Sequence, residues 1–281
     1  MTTHVSTSDQ AARARAFHAM HVSGTPLVLA NIWDVASARV AEAAGAPAVA
    51  TTSAGVAWSL GAADGDRLGR DRAVELVARI AAAVSVPVSA DIEGGFGTAP
   101  EGVASTVAGV LAAGAVGVNI EDAWFGGNVP LRPLPDQIAR LAAARAAAVD
   151  AGVDLYLNAR VDTYLMGVGE PQSRFGDVVL RAAAYAEAGA SGIFVPGVTD
   201  AETVAALAKE IALPLNVLVG PGDLSVAEFA ALGVARVSLG SGIAQAAYGL
   251  VRRAVTEVLT HGTYSSTAEV MPYGELNGLF R

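Results

Sequence analysis

Carboxylates recur at three points in this chain where a short apolar run gives way to a helical segment. Asp91 and Glu93 follow the first of these runs, Glu121 follows the second, and Arg160 lies at the end of the third. If the runs are neighbouring strands, their ends bring several negative charges and one guanidinium to one edge of a sheet. Such a cluster is costly unless something neutralises it, and a divalent cation does so well. The pattern therefore predicts a metal-assisted enzyme.

Magnesium prefers hard oxygen ligands and keeps several of its waters. Asp91 comes directly off its strand and is our predicted direct ligand, with Glu93 and Glu121 supporting the ion through water; Mn²⁺ could replace Mg²⁺. The alternative for any single acid is a helix cap or an ion pair with Arg160. The planar fork of Arg160 suits a carboxylate or phosphonate, although Asp162 or Glu121 could equally be its partner.

A second oxyanion could bind where the second strand ends, at Thr52, Ser53 and the backbone amides of Ala54 and Gly55. A strand end that contains glycine lets N–H groups point at a ligand, but simple turn formation explains the same residues. The glycine pairs at 220–222 and 240–242 raise a rival hypothesis, a phosphate cradle after strands 7 and 8. Sugar-phosphate enzymes commonly place Lys or His at strand ends, and this chain offers neither there.

Composition narrows the class of protein. The chain has 281 residues, 53% of them hydrophobic, which suits one large domain, and its net charge of −9 argues against nucleic acid or an anionic membrane as a partner. There is no cysteine, so disulfides and thiolate catalysis are excluded. The only lysine, Lys209, is predicted far from the strand ends, and the histidines (His4, His18, His21 and His261) lie outside the repeating body. No signal-like or bilayer-length apolar run occurs, so we expect a cytoplasmic protein.

The body of the chain alternates strand-like and helix-like runs, and five of the helices close on glycine, which favours the left-handed position after a helix. The predicted strands are 27–30, 48–51, 86–91, 117–120, 154–159, 192–195, 215–219 and 236–239. The predicted helices are 35–44, 71–83, 99–113, 134–151, 175–188, 201–211, 225–232 and 242–259. Eight such units predict a (β/α)8 TIM barrel over residues 1–260, with a helix at 8–20 before it and a tail at 261–281; a doubly wound sheet is the alternative.

The ordered set of strand ends resembles the isocitrate lyase/phosphoenolpyruvate mutase superfamily over nearly the whole barrel. The D-x-[DE]-x-G-[YF]-G element of that family is matched at 91–97, its I-E-D at 120–122 and its A-R-[VT]-[DE] at 159–162. Further matches are 31–34, 52–55, 59–61, Asp64 and Asn216.

The resemblance implies a Mg²⁺-dependent enzyme that acts on α-oxo or α-hydroxy carboxylates through an enolate-like intermediate. It assigns Asp91 to the metal, Asp64, Glu93 and Glu121 to the surrounding acids, and Arg160 to the substrate clamp. Ser53 with its neighbouring amides resembles the oxyanion-binding strand end, Asn216 the amide that contacts a substrate carboxylate, and Trp33 is placed among the substrate contacts. The family also implies a homotetramer in which paired subunits exchange the last helix, and we expect a homo-oligomer, either a dimer or a tetramer.

The segment 123–133 departs from the family. The lyase branch carries a cysteine proton donor in this loop and the phosphonomutase branch a lysine, but here the loop is short and has no Cys, Lys or His. Our first hypothesis is therefore cleavage of a C–C bond in a small α-oxo dicarboxylate such as oxaloacetate, because decarboxylation can take its proton from water. The alternatives are a C–P bond mutase or hydrolase acting on phosphonopyruvate-like substrates, and a catalytically weak dicarboxylate-binding barrel.

Overall fold

The computed structural model describes residues 7–280, and in that part of the chain eight parallel strands close into a barrel. The strands are β1 (Leu27–Ile32), β2 (Val49–Thr51), β3 (Val88–Asp91), β4 (Gly117–Glu121), β5 (Tyr156–Arg160), β6 (Gly192–Val195), β7 (Leu215–Leu218) and β8 (Arg236–Ser238). Each strand pairs with the next in the sequence, and β8 pairs with β1. The predicted (β/α)8 TIM barrel is confirmed, and the doubly wound sheet is wrong.

Helices follow the strands on the outside of the barrel. They are α1 (Thr7–Ala19), α2 (Val35–Ala43), α3 (Ser53–Ser59), α4 (Arg70–Ala83), α5 (Pro100–Ala112), α6 (Leu134–Asp150), α7 (Arg174–Glu187), α8 (Ala201–Glu210), α9 (Val226–Ala231), α10 (Gly242–His261) and α11 (Tyr273–Gly278). Single 3₁₀ turns occur at Pro171–Ser173 and Ser265–Thr267. Among residues 7–280, no helix combines the length and apolar character that crossing a membrane would require.

The strands are short and largely apolar because the helices cover their outer faces while the barrel interior covers the inner ones. Every residue of β4 and of β6 is buried. The amino-terminal end of the barrel is closed by α1, where the fully buried ring of Phe17 packs edge-on against Tyr156 with 5.5 Å between centroids. The five glycines predicted to end helices all have positive φ, as that role requires.

Two local differences from the predicted elements affect the site. The fifth strand was predicted to end at residue 159, but β5 includes Arg160, which pairs in register with Glu121 of β4. The short helix α3, directly after β2, was not predicted. It begins with the small residues Ser53, Ala54 and Gly55, which give little helical signal. Gly55 packs closely against Trp33 and Ala244, where a Cβ would lie 2.8 Å from the Trp33 Cβ.

The last long helix, α10, is largely exposed within the single chain. Of its residues only Ala244 is buried, and a stripe of apolar side chains (Ile243, Tyr248, Val251, Val255, Val258 and Leu259) is exposed. The outer face of β1 is correspondingly bare, since Val28 is 42% exposed and borders an apolar groove with α2. The structure ends α10 at His261, next to the predicted division at 260, and the division into barrel and tail stays a prediction.

Candidate active site

A cavity of about 240 Å³ opens at the carboxyl ends of the strands, where active sites of this fold lie. Most of the residues that line it carry polar or charged side chains, and the others are apolar. Near the mouth the polar residues include Asn31, Thr52, Ser53, Asp64, Asp91, Asn119 and Arg160, and deeper in the barrel they include Ser89, Arg236 and Ser238. The cavity is smaller than the roughly 300–1,000 Å³ typical of sites for drug-sized ligands, so it fits a small molecule.

Asp91 is the last residue of β3, and its carboxylate is held in one orientation by its neighbours. Its Oδ1 accepts a hydrogen bond from Asn119 Nδ2 at 3.1 Å, and its Oδ2 accepts one from the Ser53 amide at 3.1 Å. The Asp91 amide donates to Thr51 Oγ1 at 2.7 Å, which fixes the backbone. The two carboxylate oxygens offer about four acceptor positions, so Asp91 retains capacity for a ligand in the cavity.

Arg160 ends β5 and forms the densest ionic contact of the site. Its Nη1 lies 2.8 Å from Glu121 Oε2, and its Nη2 lies 2.7 Å from Asp162 Oδ1, to which Nε also donates. Burial alone would lower the pKa of Arg160, but the charges of Glu121 and Asp162 raise it above its ordinary value. Three of the five guanidinium N–H groups are thus engaged, and two are free to reach a ligand. The sequence left open whether Glu121 or Asp162 pairs with Arg160, and the structure shows that both do.

Glu93 lies behind Asp91 on an unusual stretch of backbone. Its φ of 51° is left-handed, as is the 60° of Asp66, whose amide donates to the Glu93 carboxylate. Non-glycine residues rarely adopt this conformation, and such exceptions cluster at functional sites. Burial, with the charges of Asp91, Asp64 and Asp66, raises the pKa of Glu93 to about 8, although the Asp66 amide opposes the shift.

The chemistry of this donor set fits a hard divalent cation. Burial and the charge of Asp91 also raise the pKa of Asp64, so these carboxylates repel one another and gain from a shared positive charge. Within residues 7–280, no three His, Asp or Glu side chains converge closely enough to hold an ion directly between them. The arrangement suits an ion bound by Asp91 and by water, with Glu93 and Glu121 set further back.

The structure brings most of the predicted substrate-binding residues to the cavity, but not all of them. Thr52, Ser53, Ala54, Asp64 and Arg160 line it. Three others do not. Gly55 is a close-packing position inside α3, and Trp33 lines the outer groove beside β1. Asn216 is buried in the barrel wall, where its Oδ1 accepts from Ser238 Oγ at 3.1 Å.

Sequence reasoning missed Arg236, a buried side chain of β8 that lines the deep part of the cavity. The sequence does contain a signal for it. Arg236 and Ser238 are two residues apart in an apolar strand, and residues at that spacing point to the same face, which here is the inside of the barrel. Sequence reasoning considered only where strands end, and Arg236 begins one.

Asp122 belongs to a different buried cluster, which supports the barrel wall. Its Oδ2 accepts from Tyr185 Oη at 2.7 Å and lies 3.2 Å from Arg181 Nη1, while its Oδ1 accepts from the Asp162 amide. Burial raises the pKa of Asp122 to about 6. Because this cluster ties α7 to the ends of β4 and β5, it positions Glu121 and Asp162.

Within residues 7–280, neither the loop after β4 nor any histidine supplies a conventional acid to the cavity. Trp124 donates its amide to Pro130 O, and Phe125 packs on Gly65, so both side chains line a neighbouring cleft. His21 stacks on Tyr156 at the amino-terminal end of the barrel, 3.7 Å between centroids, and His18 lies beside it. His261 ends α10, and His4 lies outside the described residues.

The fold is a (β/α)8 barrel with a polar cavity at the carboxyl ends of its strands, and comparison with known proteins identifies the family. The family model described as phosphoenolpyruvate phosphomutase matches residues 17–259. The chain therefore belongs to the phosphoenolpyruvate mutase/isocitrate lyase superfamily, as its strand ends predicted.

Three relatives illustrate the range of that superfamily. A crystal structure from Burkholderia cenocepacia J2315, provisionally described as a lyase or mutase, is 40% identical with a TM-score of 0.90, covering 98% of this chain and 97% of that one. Oxaloacetate decarboxylase of Pseudomonas putida KT2440 is 30% identical over 71% of this chain and 68% of its own. Phosphonopyruvate hydrolase in complex with oxalate and Mg²⁺ is 28% identical with a TM-score of 0.81, covering 95% of each chain.

Proposed function

We propose that this protein is a Mg²⁺-dependent lyase that cleaves a C–C bond in a small α-oxo dicarboxylate, with oxaloacetate as the model substrate. The observation that carries the proposal is one small cavity lined by Asp91, Arg160 and Ser53 but, among residues 7–280, by no Cys, Lys, His or Tyr side chain. The similarity to an oxaloacetate decarboxylase supports the same reaction. We infer that the chain is an enzyme from the superfamily to which it belongs.

Asp91 would hold the metal directly, and Glu93 and Glu121 would hold its waters. A bound Mg²⁺ supplies Lewis-acid polarisation of the substrate's oxo and carboxylate oxygens. Asn119 and the Ser53 amide keep the Asp91 carboxylate turned toward the cavity. Mn²⁺ would serve in place of Mg²⁺, because it accepts the same oxygen ligands.

Arg160 and Ser53 would act on the charge that develops during the reaction. The bond between the β-carbon and its carboxylate breaks, CO₂ leaves, and the electron pair moves onto the α-oxo oxygen as the enolate of pyruvate. The two free N–H groups of Arg160 and the Ser53 hydroxyl would stabilise that oxygen, a role that preorganised donors fill well. The β-carbon then takes its proton from water, which fits a cavity wall without a conventional acid.

The proposal is tested by the release of pyruvate from oxaloacetate in the presence of Mg²⁺, measured with lactate dehydrogenase and NADH. Free Mg²⁺ slowly decarboxylates oxaloacetate on its own, so the rate must be compared with buffer that contains metal but no enzyme. We expect the Asp91→Asn variant to lose at least about 10³-fold in activity, since it removes the direct ligand. No rate above the metal background, or full activity in Asp91→Asn, would reject this function.

Phosphonopyruvate hydrolysis is the second candidate, favoured by the similarity to a hydrolase solved with oxalate and Mg²⁺. It predicts a new phosphate signal in ³¹P NMR after incubation with phosphonopyruvate, and an unchanged spectrum rejects it. A barrel that only binds dicarboxylates is the remaining alternative. It would be stabilised against heat by oxalate plus Mg²⁺ while turning over neither substrate.

We also propose that the protein is a homo-oligomer in which subunits exchange α10. The exposed apolar stripe of α10 and the bare outer face of β1 within one chain support this, because each is the kind of surface that another chain would cover. Sedimentation equilibrium would measure the assembly. A monomer at micromolar concentration would contradict the exchange.

A further inference from the structure

Arg236 is a buried cation without a counter-ion. Its side chain is 3% exposed, it lines the deep part of the cavity, and no acidic side chain among residues 7–280 forms an ion pair with it. Its Nε donates to Ser238 Oγ at 3.2 Å, and its Nη1 has no hydrogen-bond partner in the described structure. The surrounding wall therefore leaves one nitrogen of the guanidinium, Nη1, without a partner.

An unpaired buried charge of this kind is costly, so its presence requires a compensating interaction. Asp91, the acid of the cavity whose charge acts on Arg236, already accepts hydrogen bonds from Asn119, Ser53 and the Glu93 amide. Asp91 is also the residue proposed to bind the metal, and a bound metal ion would balance its negative charge in place of Arg236. The remaining source of negative charge is a molecule in the cavity.

We propose that Arg236 binds a second anionic group of the substrate, a carboxylate at the opposite end from the metal-binding oxo acid. This inference deepens the proposed function and rests on it, because it names the substrate class as four-carbon 2-oxo or 2-hydroxy diacids. The planar fork of arginine matches a carboxylate, and the neighbouring hydroxyls of Ser89 and Ser238 provide further polar contacts. Substrates that end in an apolar group would leave the guanidinium unsatisfied.

The size of the cavity agrees with this assignment. Within about 240 Å³ it joins Asp91 and Arg160 near the mouth to Arg236 near the floor. A compact diacid can therefore reach both ends at once, whereas oxalate, with two adjacent carboxylates, would occupy the metal end alone. Oxalate is thus an internal reference that does not depend on Arg236.

The test uses isothermal titration calorimetry of the full chain in saturating Mg²⁺. Malate and 2-hydroxybutyrate form a matched pair, since both are four-carbon 2-hydroxy acids and only malate has the distal carboxylate. We expect the wild-type protein to bind malate at least tenfold more tightly. In Arg236→Met the affinity for malate should fall by about 10- to 100-fold, the change expected from losing a charge-assisted hydrogen bond. The affinities for 2-hydroxybutyrate and oxalate should stay within threefold.

Controls separate a binding role from a structural one. Arg79→Met, on the exposed face of α4, makes the same chemical change outside the cavity and should bind all three ligands normally. If Arg236→Met does not fold, as judged by far-UV circular dichroism, Arg236→Gln keeps polarity without charge and should show the same selective loss. Equal weakening of all three ligands, or an unchanged preference for malate, would overturn the inference.

The outcomes are distinguishable from those for the proposed function, because neither hydroxy acid is a substrate for decarboxylation. A selective loss of malate affinity supports the role of Arg236 even if oxaloacetate is not turned over. Turnover of oxaloacetate with no effect of Arg236→Met on malate supports the lyase and rejects the inference. A further titration replaces malate with 2-oxo-3-phosphonopropanoate, to show whether the distal group is a carboxylate or a phosphonate. Tighter binding of the phosphonate than of malate would reject the assignment to diacids.

Discussion

Arg160 and Arg236 line the same cavity and are both buried, yet their surroundings differ sharply. Arg160 has two carboxylates within 2.8 Å, whereas Arg236 has one serine hydroxyl at 3.2 Å and no ion pair among the described residues. The charges of its partners raise the pKa of Arg160, while burial lowers the pKa of Arg236 to about 10 even though Tyr156 and Asp91 oppose the shift. The carboxylates thus fix the position of Arg160 before a ligand arrives, whereas Arg236 depends on a ligand for a counter-charge.

The largest expected effect concerns the paired arginine. Arg160→Met leaves Glu121 and Asp162 buried without their partner, so the free energy of unfolding should fall by about 3–5 kcal/mol. Urea denaturation followed by far-UV circular dichroism would measure it. A loss of less than about 1 kcal/mol would show that the two carboxylates do not depend on Arg160 for their stability.

The second-largest effect is the pH dependence of stability that His21 contributes, since the charge of Arg236 acts on its pKa. Burial, followed by the charge of Arg236, lowers the pKa of His21 to about 3. His21 is thus neutral in the fold but protonates near pH 6.5 in the unfolded chain, so the stability it contributes is present above pH 6.5 and is lost as the pH falls toward 3. From pH 7 to pH 5 its contribution to the free energy of unfolding should fall by about 2 kcal/mol.

The comparison of wild type with His21→Phe at both pH values isolates that contribution from the other titrating groups. Arg236→Met should make the loss smaller, because it removes one cause of the lowered pKa, and Arg79→Met should leave it unchanged. Identical pH dependence in wild type and His21→Phe would contradict the assignment.

A smaller effect of opposite sign is expected at the unpaired arginine. Arg236→Met removes a buried charge without stranding a partner, so the ligand-free protein should become more stable by about 1 kcal/mol. The measurement is the same urea titration, run beside Arg160→Met. A destabilisation of 2 kcal/mol or more would place Arg236 with Arg160 among the residues that maintain the barrel.

The smallest effect concerns the hydroxyl that orients Arg236. Ser238→Ala removes the acceptor of the Nε hydrogen bond and one partner of Asn216. Malate affinity should weaken by about threefold, in line with the loss of one hydrogen bond of about 0.5–1 kcal/mol, and oxalate affinity should not change. An equal change for both ligands would show that Ser238 acts on the whole cavity.

Much of this could be predicted from the sequence, because both the fold and the rim of the site depend on local patterns. Alternating apolar strands and glycine-terminated helices predicted the closed barrel, and strand ends predicted Asp91 and Arg160 in one cavity. Arg236 could not be found in this way, since its importance depends on what is missing around it. Sequence spacing shows that a charge is present but not whether a partner reaches it.

The positions of Trp33 and Gly55 show a second limit. Both belong to segments that match the family at the strand ends, yet they pack against each other outside the cavity, because α3 turns Ser53 and Ala54 toward the cavity and Gly55 toward Trp33. A helix as short as α3 has little local signal, and it packs against Trp33, which follows β1, and Ala244 of α10. Which residue of a matching segment faces the ligand is therefore decided by tertiary packing.

The uncovered outer face of β1 has a consequence for the mouth of the site. Val28 and Asn31 lie on the same strand, and Asn31 Oδ1 accepts hydrogen bonds from the Leu239 and Gly240 amides at 2.8 and 2.9 Å, which fastens the lip of the cavity. A subunit that packs on the outer face of β1 would therefore also stabilise the position of Asn31 at the cavity rim. If dilution dissociates a subunit that covers β1, the cavity rim should therefore become less ordered before the barrel unfolds. Specific activity should then fall as the protein concentration is lowered.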